Sequence, residues 1–319
     1  MVEQLAVIGC GLMGGSFAAA LRASLSAAGG VKRVTGYSRV RVGAGDRTEQ
    51  PAVSRVTDAG TAKVLEPRTS AAHRAQALGL IDEAFGTPAG AVAGADLVLI
   101  AVPVGATQAV LAELSPALSP NALVMDVGST KRDVVAAARA ALGARVSQFV
   151  PAHPIAGKET GGIEQAEAAL YQGRSTILTP LPENDAARVA RAQAAWEAVG
   201  CRVVHMSPEA HDQTLAAVSH LPHLLAFAYM QGLMGQGQDA LDQHLAVAGG
   251  GFRDFSRIAA STSAVWRDIF SANRDEVLAQ LTMFEGALTQ YRQALAEGRD
   301  EDLARLVDEA SAVRSRWSC

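Results

Sequence analysis

The feature that most constrains this chain lies near its start. Leu5-Ala6-Val7-Ile8 is a short apolar run, Gly9-Cys10-Gly11-Leu12-Met13-Gly14 follows without a gap, and Gly15 to Ala28 is Ala-rich with helical composition. The order is buried strand, glycine turn, helix. Gly9 permits the tight turn, Gly11 lets the backbone approach a pyrophosphate, and Gly14 lets the helix pack close to the strand. The helix N-terminus offers unpaired N–H groups and a positive dipole end to an anion. A bare glycine pattern says little, but in this setting it predicts a dinucleotide site, with Leu12 and Met13 in the same turn. The bland alternative is a glycine-rich strand-to-helix turn that holds nothing.

Strand and helix signals alternate over the following residues. Arg33 to Tyr37 reads as a second strand and Ala71 to Leu80 as a helix. Asp96 to Val102, Ala122 to Val127 and Val146 to Val150 are near-continuous apolar runs, as expected for parallel strands covered on both faces. Ile177-Leu178 and Arg202 to His205 are shorter candidates, and Asp133 to Leu142 and Asp185 to Val199 read as helices. This alternation predicts an α/β, Rossmann-type, doubly wound parallel sheet. After Ser207 the strand signals stop. Pro208 to Met234, Asp239 to Ala248, Ala264 to Asn273, Asp275 to Gly298 and Asp300 to Arg314 read as helices, with Ser207, Asn273 and Asp300 as candidate N-caps. The expected division is a dinucleotide-binding domain over 1–206 and an all-α domain over 207–319. Leu215 to Met234 is apolar on every side, so it needs covering, and a second subunit would do so.

One stretch fits poorly. From about 40 to 68 runs a long series of Gly, Arg, Thr, Asp and Pro, where a short connection is the norm. It reads as a surface insertion beside the adenosine half of the site.

Composition narrows the function classes. A chain of 319 residues accommodates two domains with real cores. The formal net charge is −4 and no basic stripe is present, which argues against nucleic acid as a partner. No apolar run reaches membrane-spanning length, and the N-terminus reads directly into a strand, with no signal peptide expected. Cys10, Cys201 and Cys319 are far apart and have no metal-like spacing, so they read as reduced thiols of a cytoplasmic protein.

The second strand ends Tyr37-Ser38-Arg39, where an NAD site usually carries an acid for the ribose hydroxyls. A carboxylate would repel the extra phosphate of NADP, whereas Ser38 and Arg39 suit it. The expectation is NADP over NAD, with Val102 and Pro103, at the end of the third strand, as further contacts. The bland reading of Arg39 is a solvated loop charge in a protein that accepts both.

Four polar clusters interrupt the apolar pattern: 126–131, 153–159, 219–223 and 249–257. The first two follow strands, and ligands in open parallel sheets bind at the C-terminal ends of strands. Together with Gly-Leu-Met-Gly-Gly-Ser at 11–16, the segments Asp-Val-Gly-Ser-Thr-Lys at 126–131, His-Pro-Ile-Ala-Gly at 153–157, Ser-His-Leu-Pro-His at 219–223 and Gly-Phe-Arg-Asp-Phe-Ser-Arg-Ile-Ala at 251–259 resemble the prephenate/arogenate (cyclohexadienyl) dehydrogenases of tyrosine biosynthesis. They come in the family's order and span nearly the whole chain.

The resemblance implies oxidative decarboxylation of a cyclohexadienol, a nicotinamide cofactor and a homodimer built through the helical domain. It makes His153 the catalytic base, for which an imidazole titrating near neutrality is suited. It makes Ser129 the group that orients the substrate hydroxyl. Arg257 is the candidate cation for a substrate carboxylate. His220 and His223 are candidate substrate contacts, and Glu159 and Asp254 are further candidates of the substrate site that position neighbouring groups. Asp126 reads as a cap of the turn over 128–130, and no third ligand supports a metal at His220 and His223. Two other classes stay open. One is another two-domain NADP-dependent dehydrogenase of the β-hydroxyacid or pyrroline-carboxylate type, although Pro208 to Met234 lacks the lysine that the first would place there. The other is a non-catalytic NADP-sensing dimer.

Overall fold

The structure is a computed structural model that describes residues 2–25, 31–39, 70–158 and 160–317. The expected insertion at 40–68, the candidate Glu159 and Cys319 lie outside the described residues. The described chain divides into two compact units. The first holds residues up to Asp212 together with Ala260–Ala272, and the second holds Gln213–Ala259 and the chain from Asn273 onward. The helical segment at 260–272 therefore belongs by its contacts to the first unit, although its sequence is as helical as its neighbours'.

In the first unit β1 (Gln4–Ile8), β2 (Arg33–Tyr37), β3 (Glu83–Ala84), β4 (Leu97–Ile100), β5 (Leu123–Asp126) and β6 (Phe149–Val150) form one parallel sheet in the order β3-β2-β1-β4-β5-β6. The order reverses between β1 and β4, and that crevice is where such sheets bind ligands. Each strand sorts its side chains by pleat. Leu5, Val7, Leu97, Leu99, Leu123 and Met125 pack on one face, and Ala6, Ile8, Val98, Ile100 and Val124 on the other. Burial on both faces explains why these strands read as continuous apolar runs rather than alternating ones. The first face is covered by α1 (Leu12–Leu25) and α6 (Ala186–Ala198), where Phe17 and Trp196 meet edge to face with ring centroids 4.9 Å apart. The other face is covered by α3 (Pro88–Val92), α4 (Thr107–Leu114) and α5 (Arg132–Leu142). Between β2 and β3 lies α2 (Ala71–Ala77), capped by the Ser70 hydroxyl, which accepts from the His73 backbone N–H.

A second, three-stranded sheet was not anticipated. It contains β7 (Ala152–Pro154), β8 (Ser175–Leu178) and β9 (Arg202–His205), with β7 antiparallel to β8 and β8 parallel to β9. Pro151 separates β6 from β7: it has no N–H to extend the first ladder, and its carbonyl accepts from Thr179 instead. Most of the expected strand at 146–150 is a 3₁₀ turn over Gly143–Gln148, because the Gln148 amide is turned inward to the carbonyls of Ser119, Pro120 and Ala122.

The stretch read as one helix at 208–234 is α7 (Pro208–Leu215), a π turn over Ala216–His220 and α8 (Leu221–Met234). Pro222 cannot donate to the carbonyl four residues back, and a widened turn relieves that mismatch. Ser207 caps α7 as expected, its hydroxyl accepting from the Ala210 N–H at 3.1 Å. Further on come α9 (Gln238–Ala246), α10 (Gly250–Ser256), a 3₁₀ turn over Arg257–Ala260, α11 (Ser263–Ala272), α12 (Arg274–Ala296) and α13 (Asp300–Ser315). Asn273 stands at the N-cap position of α12 as expected, but its side chain goes to His220 instead of capping, and Asp300 sits in the first turn of α13 rather than before it.

The glycine loop has the geometry its sequence calls for. Gly9 has φ +104°, and a Cβ there would lie 2.3 Å from the Ala101 carbonyl oxygen. A Cβ on Gly14 would lie 2.4 Å from the Gly9 oxygen and 2.7 Å from Val7 Cγ1. Gly14→Ala therefore forces backbone apart at the β1–α1 junction. We expect it to cost about 1–3 kcal/mol and to lower the melting temperature by several degrees in a thermal scan.

Candidate active site

The glycine loop, the end of β2 and the segment after β4 enclose a cavity of about 740 Å³. Gly9, Gly11, Ser38, Arg39, Val102 and Pro103 line it, and Arg74 from α2 enters from the β2 side. Leu12, Met13 and Gly14 do not line it. Leu12 is buried in the core, Gly14 is packed against Val7, and the Met13 carbonyl accepts from the Tyr171 hydroxyl at 2.8 Å. A Cβ at Gly11 would touch no protein atom within 4 Å, so packing does not require glycine there. Close approach of a pyrophosphate to the backbone does require it, and on this ground the cavity fits a dinucleotide. Ser38 has a structural task as well, since its Oγ accepts from the Cys10 N–H at 2.8 Å and closes the loop onto β2. Burial pushes the Cys10 thiol up to about 11, with hydrogen bonds to Ser38 and Tyr37 opposing in part, so it stays protonated beside the phosphate path.

At the far side of the sheet, β5 ends in Asp126, whose carboxylate is 2 % exposed. One oxygen accepts from the Ala152 N–H at 2.9 Å, and the other from the Gly128 N–H at 2.8 Å. Lys131 is fully buried, and its ammonium bridges the Asp126 carboxylate and the Ala152 carbonyl, the latter at 2.8 Å. The residue before His153 is thus held by both its N–H and its C=O. Ser129 lies half-buried in the turn that Asp126 closes.

His153 is the central residue of β7, opposite Ile177. Its Nδ1 is 2.9 Å from Nε2 of His211 on α7, and Nδ1 of His211 is 2.8 Å from Asp212 Oδ1. His211 and Asp212 have no exposed surface. Asp212 also accepts from the backbone N–H groups of Lys131 at 2.7 Å and Arg132 at 2.9 Å, and from Arg132 Nε at 3.3 Å. Burial alone would raise the Asp212 pKa. The His211 hydrogen bond and the two backbone donors outweigh it and hold the carboxyl below its usual range. For His211 burial dominates and holds the imidazole below its usual value, against the pull of Asp212.

The sequence reading missed Lys131, His211 and Asp212. The signals were an adjacent His–Asp pair on an otherwise polar helix, and a lysine at the end of a motif whose serine drew the attention.

The second unit holds the other candidates. His220 is buried in the π turn, where the Asn273 amide lies 3.1 Å from its Nδ1. His223, one turn on, is half-buried. Burial pushes it down to about 4, a hydrogen bond with the Ile258 backbone opposes this, and the Arg257 charge adds to it. Arg257 begins the 3₁₀ turn after α10 and is exposed. Asp254 is exposed too and pairs with Arg253 at 3.2 Å.

Comparison with known proteins fits this geometry. Residues 40–205 match the family described as prephenate dehydrogenase, nucleotide-binding domain, and residues 207–309 match prephenate dehydrogenase, dimerization domain. The chain belongs to the prephenate dehydrogenase family. It is 35% identical over 241 residues to a cyclohexadienyl dehydrogenase of Zymomonas mobilis, covering 76% of this chain and 82% of that one. The crystal structure of prephenate dehydrogenase from Aquifex aeolicus, in complex with hydroxyphenyl propionate and NAD+, superposes with a TM-score of 0.80 at 31% identity, over 99% and 98% of the two chains. Synechocystis arogenate dehydrogenase superposes with a TM-score of 0.75 at 26% identity, over 99% and 100%. The protein is accordingly a nicotinamide-dependent dehydrogenase.

The buried pair beneath His153 makes a direct expectation. Lys131→Met strands the Asp126 carboxylate in the interior and should cost about 3–5 kcal/mol in chemical denaturation. The double variant Lys131→Met/Asp126→Asn should lose less than the single one, because no uncompensated charge remains.

Proposed function

We propose that this protein oxidatively decarboxylates prephenate, arogenate or both, with NADP as the preferred acceptor. The observation that carries the reading is the pairing, within one unit, of a dinucleotide cavity at the β1/β4 switch point with a histidine fixed through its Nδ1 just past the end of β6. A non-catalytic sensor needs the first of these and has no use for the second.

A nicotinamide cofactor held at the glycine-loop cavity, by Gly9, Gly11 and Arg39 among others, would supply the hydride acceptor for the ring carbon that bears the hydroxyl. His153 takes the hydroxyl proton as carbonyl character develops, and Ser129 orients that hydroxyl. Loss of carbon dioxide sends the C–C bonding pair into the ring, which becomes aromatic, and the same imidazole returns the proton to the phenolate oxygen. Arg257 is the proposed cation for a substrate carboxylate. His223, held neutral beside it, is the better candidate for a substrate contact. His220, buried against Asn273, is assigned to holding the π turn. Asp254 contributes through its pairing with Arg253.

The NADP preference is supported by the cationic character of the β2 end of the cavity. Arg39 and Arg74 both line it, and no carboxylate does among the described residues. Arg74 is partly committed to Glu164, 2.8 Å away, which leaves Arg39 as the main determinant. A homodimer is supported by the dimerization-domain match and by apolar side chains exposed on the second unit, among them Tyr229, Met234, Leu245, Phe255 and Met283. Among the described residues no helix is long and apolar enough to cross a membrane.

The test is the initial rate of nicotinamide reduction with prephenate or arogenate against NADP or NAD. We expect turnover with at least one of the substrates and a higher kcat/KM with NADP. Arg39→Ala should lower kcat/KM for NADP by about 10- to 100-fold and leave NAD nearly untouched. His153→Asn should abolish turnover while cofactor binding persists. Preference for NAD would refute the role given to Arg39, and wild-type rates in His153→Asn would refute the mechanism.

A further inference from the structure

We propose that His211 and Asp212 form a positioning relay that fixes His153 in the Nδ1–H tautomer and thereby makes Nε2 its basic nitrogen. The inference rests on the proposed role of His153 as base, but its geometry stands without that role.

Asp212 sets the polarity of the chain of hydrogen bonds. Both of its oxygens accept from backbone N–H groups, Oδ1 from Lys131 and Oδ2 from Arg132. These two peptide donors and the Arg132 guanidinium, 3.3 Å from Oδ2, favour the ionised form, and together with the His211 hydrogen bond they hold the carboxyl below its usual range against burial, so it serves here as an acceptor. The nitrogen of His211 that faces Oδ1, Nδ1 at 2.8 Å, must then carry a proton. A neutral imidazole has only one N–H, so Nε2 of His211 is an acceptor. It lies 2.9 Å from Nδ1 of His153, which must therefore be the donor. The second nitrogen of His153 is left as the basic one.

The step that needs His211 to be neutral has independent support. Its ring is wholly buried, and burial holds its pKa down even with Asp212 in contact. The other charges that act on it are Lys131, which disfavours the imidazolium, and Asp126, which favours it and is itself tied to Lys131. Arg132 lies on the far side of the Asp212 carboxylate.

The relay does more than select a tautomer. Free imidazoles favour the opposite one, so without His211 the base would spend most of its time presenting a donor to the hydroxyl it must deprotonate. Once Nε2 has taken a proton, the imidazolium keeps its Nδ1–H on a neutral acceptor backed by a carboxylate, which stabilises it electrostatically. Neither His211 nor Asp212 need touch substrate, so both are positioning residues.

The experiment combines kinetics with ¹⁵N-histidine NMR on the full-length protein, the His153 signals being assigned by their loss in His153→Asn. In the wild type above the titration range, His153 should show the Nδ1–H tautomer. His211→Leu fills the space and removes the acceptor. It should shift His153 to the Nε2–H tautomer and lower kcat by about 100- to 10,000-fold. KM and cofactor affinity should stay within a few-fold, and the acid limb of the pH–rate profile should move to lower pH. His211→Gln places a carboxamide oxygen close to the lost Nε2 and should restore both the tautomer and most of kcat, whereas His211→Asn, one bond shorter, should not. A packing role alone predicts that Gln and Asn behave alike and that the tautomer does not move. An Nε2–H tautomer in the wild type, or an unchanged kcat and pH profile in folded His211→Leu, would overturn the proposal. Should the Leu variant fail to fold, the wild-type tautomer and the Gln/Asn contrast decide. Should the wild type turn over neither substrate, the functional reading fails, and the NMR still decides the relay.

Discussion

The half of the first unit that carries Ser129 and His153 hangs on one buried carboxylate. Asp126 leaves the sheet at the end of β5 with almost no solvent contact, and three donors meet it there: the N–H groups of Gly128 and Ala152 and the Lys131 ammonium. Burying an ion pair costs several kcal/mol per ion, and Coulomb attraction offsets this only when the remaining lone pairs and protons find partners. Here most of them do, since Lys131 also reaches the Ala152 carbonyl. The pair is therefore a poor source of net stability and a strict specifier of geometry. It locks the turn that carries Ser129 to the strand that carries His153, two segments more than twenty residues apart in sequence.

A second acceptor repeats the device one layer out. Asp212 receives the backbone N–H groups of Lys131 and Arg132, so it docks α7 against the start of α5. Lys131 thus meets one carboxylate through its side chain and the other through its main chain. That sharing supplies both buried acids with donors in a nearly dry interior. His211, beside Asp212, is held below its usual value chiefly by its own burial, against the pull of that carboxylate.

How much of this the sequence discloses depends on the range of the interactions. The sheet was legible because its strands are buried on both faces, which leaves Leu97 to Ile100 and Leu123 to Asp126 as unbroken apolar runs. The glycine loop was legible because Gly9 and Gly14 answer to local geometry. Ser129 and His153 came from motif resemblance. The β7–β8–β9 sheet was hidden because Ala152-His153-Pro154 is too short and too polar to announce a strand, and its pairing with Ser175–Leu178 reaches across more than twenty residues. Asp212 was hidden for a related reason: its partners lie some eighty residues away, and on its own helix it is one acid among several polar residues. Asn273 misled in the opposite sense. It has the composition of a cap, but a buried imidazole fifty residues away competes for its amide and wins.

The same competition shapes the cofactor end. Ser38 looks free to serve a phosphate when the sequence is read alone, yet its oxygen already closes the glycine loop by accepting from Cys10. A hydroxyl has one proton and two lone pairs, so Ser38 can still donate to a ligand, but only from the direction the Cys10 bond leaves open. Its aim is fixed by the fold. Arg39, just past the strand end and exposed, carries no such constraint and can follow a phosphate. The proposed discrimination between the two nicotinamide cofactors therefore rests chiefly on the residue that the fold holds least. The neutral Cys10 thiol keeps a negative charge from forming in the loop where the proposed pyrophosphate would lie. A thiolate there would oppose the ligand that the helix dipole of α1 attracts, so burial of that one sulfur preserves the attraction on which the whole glycine loop relies.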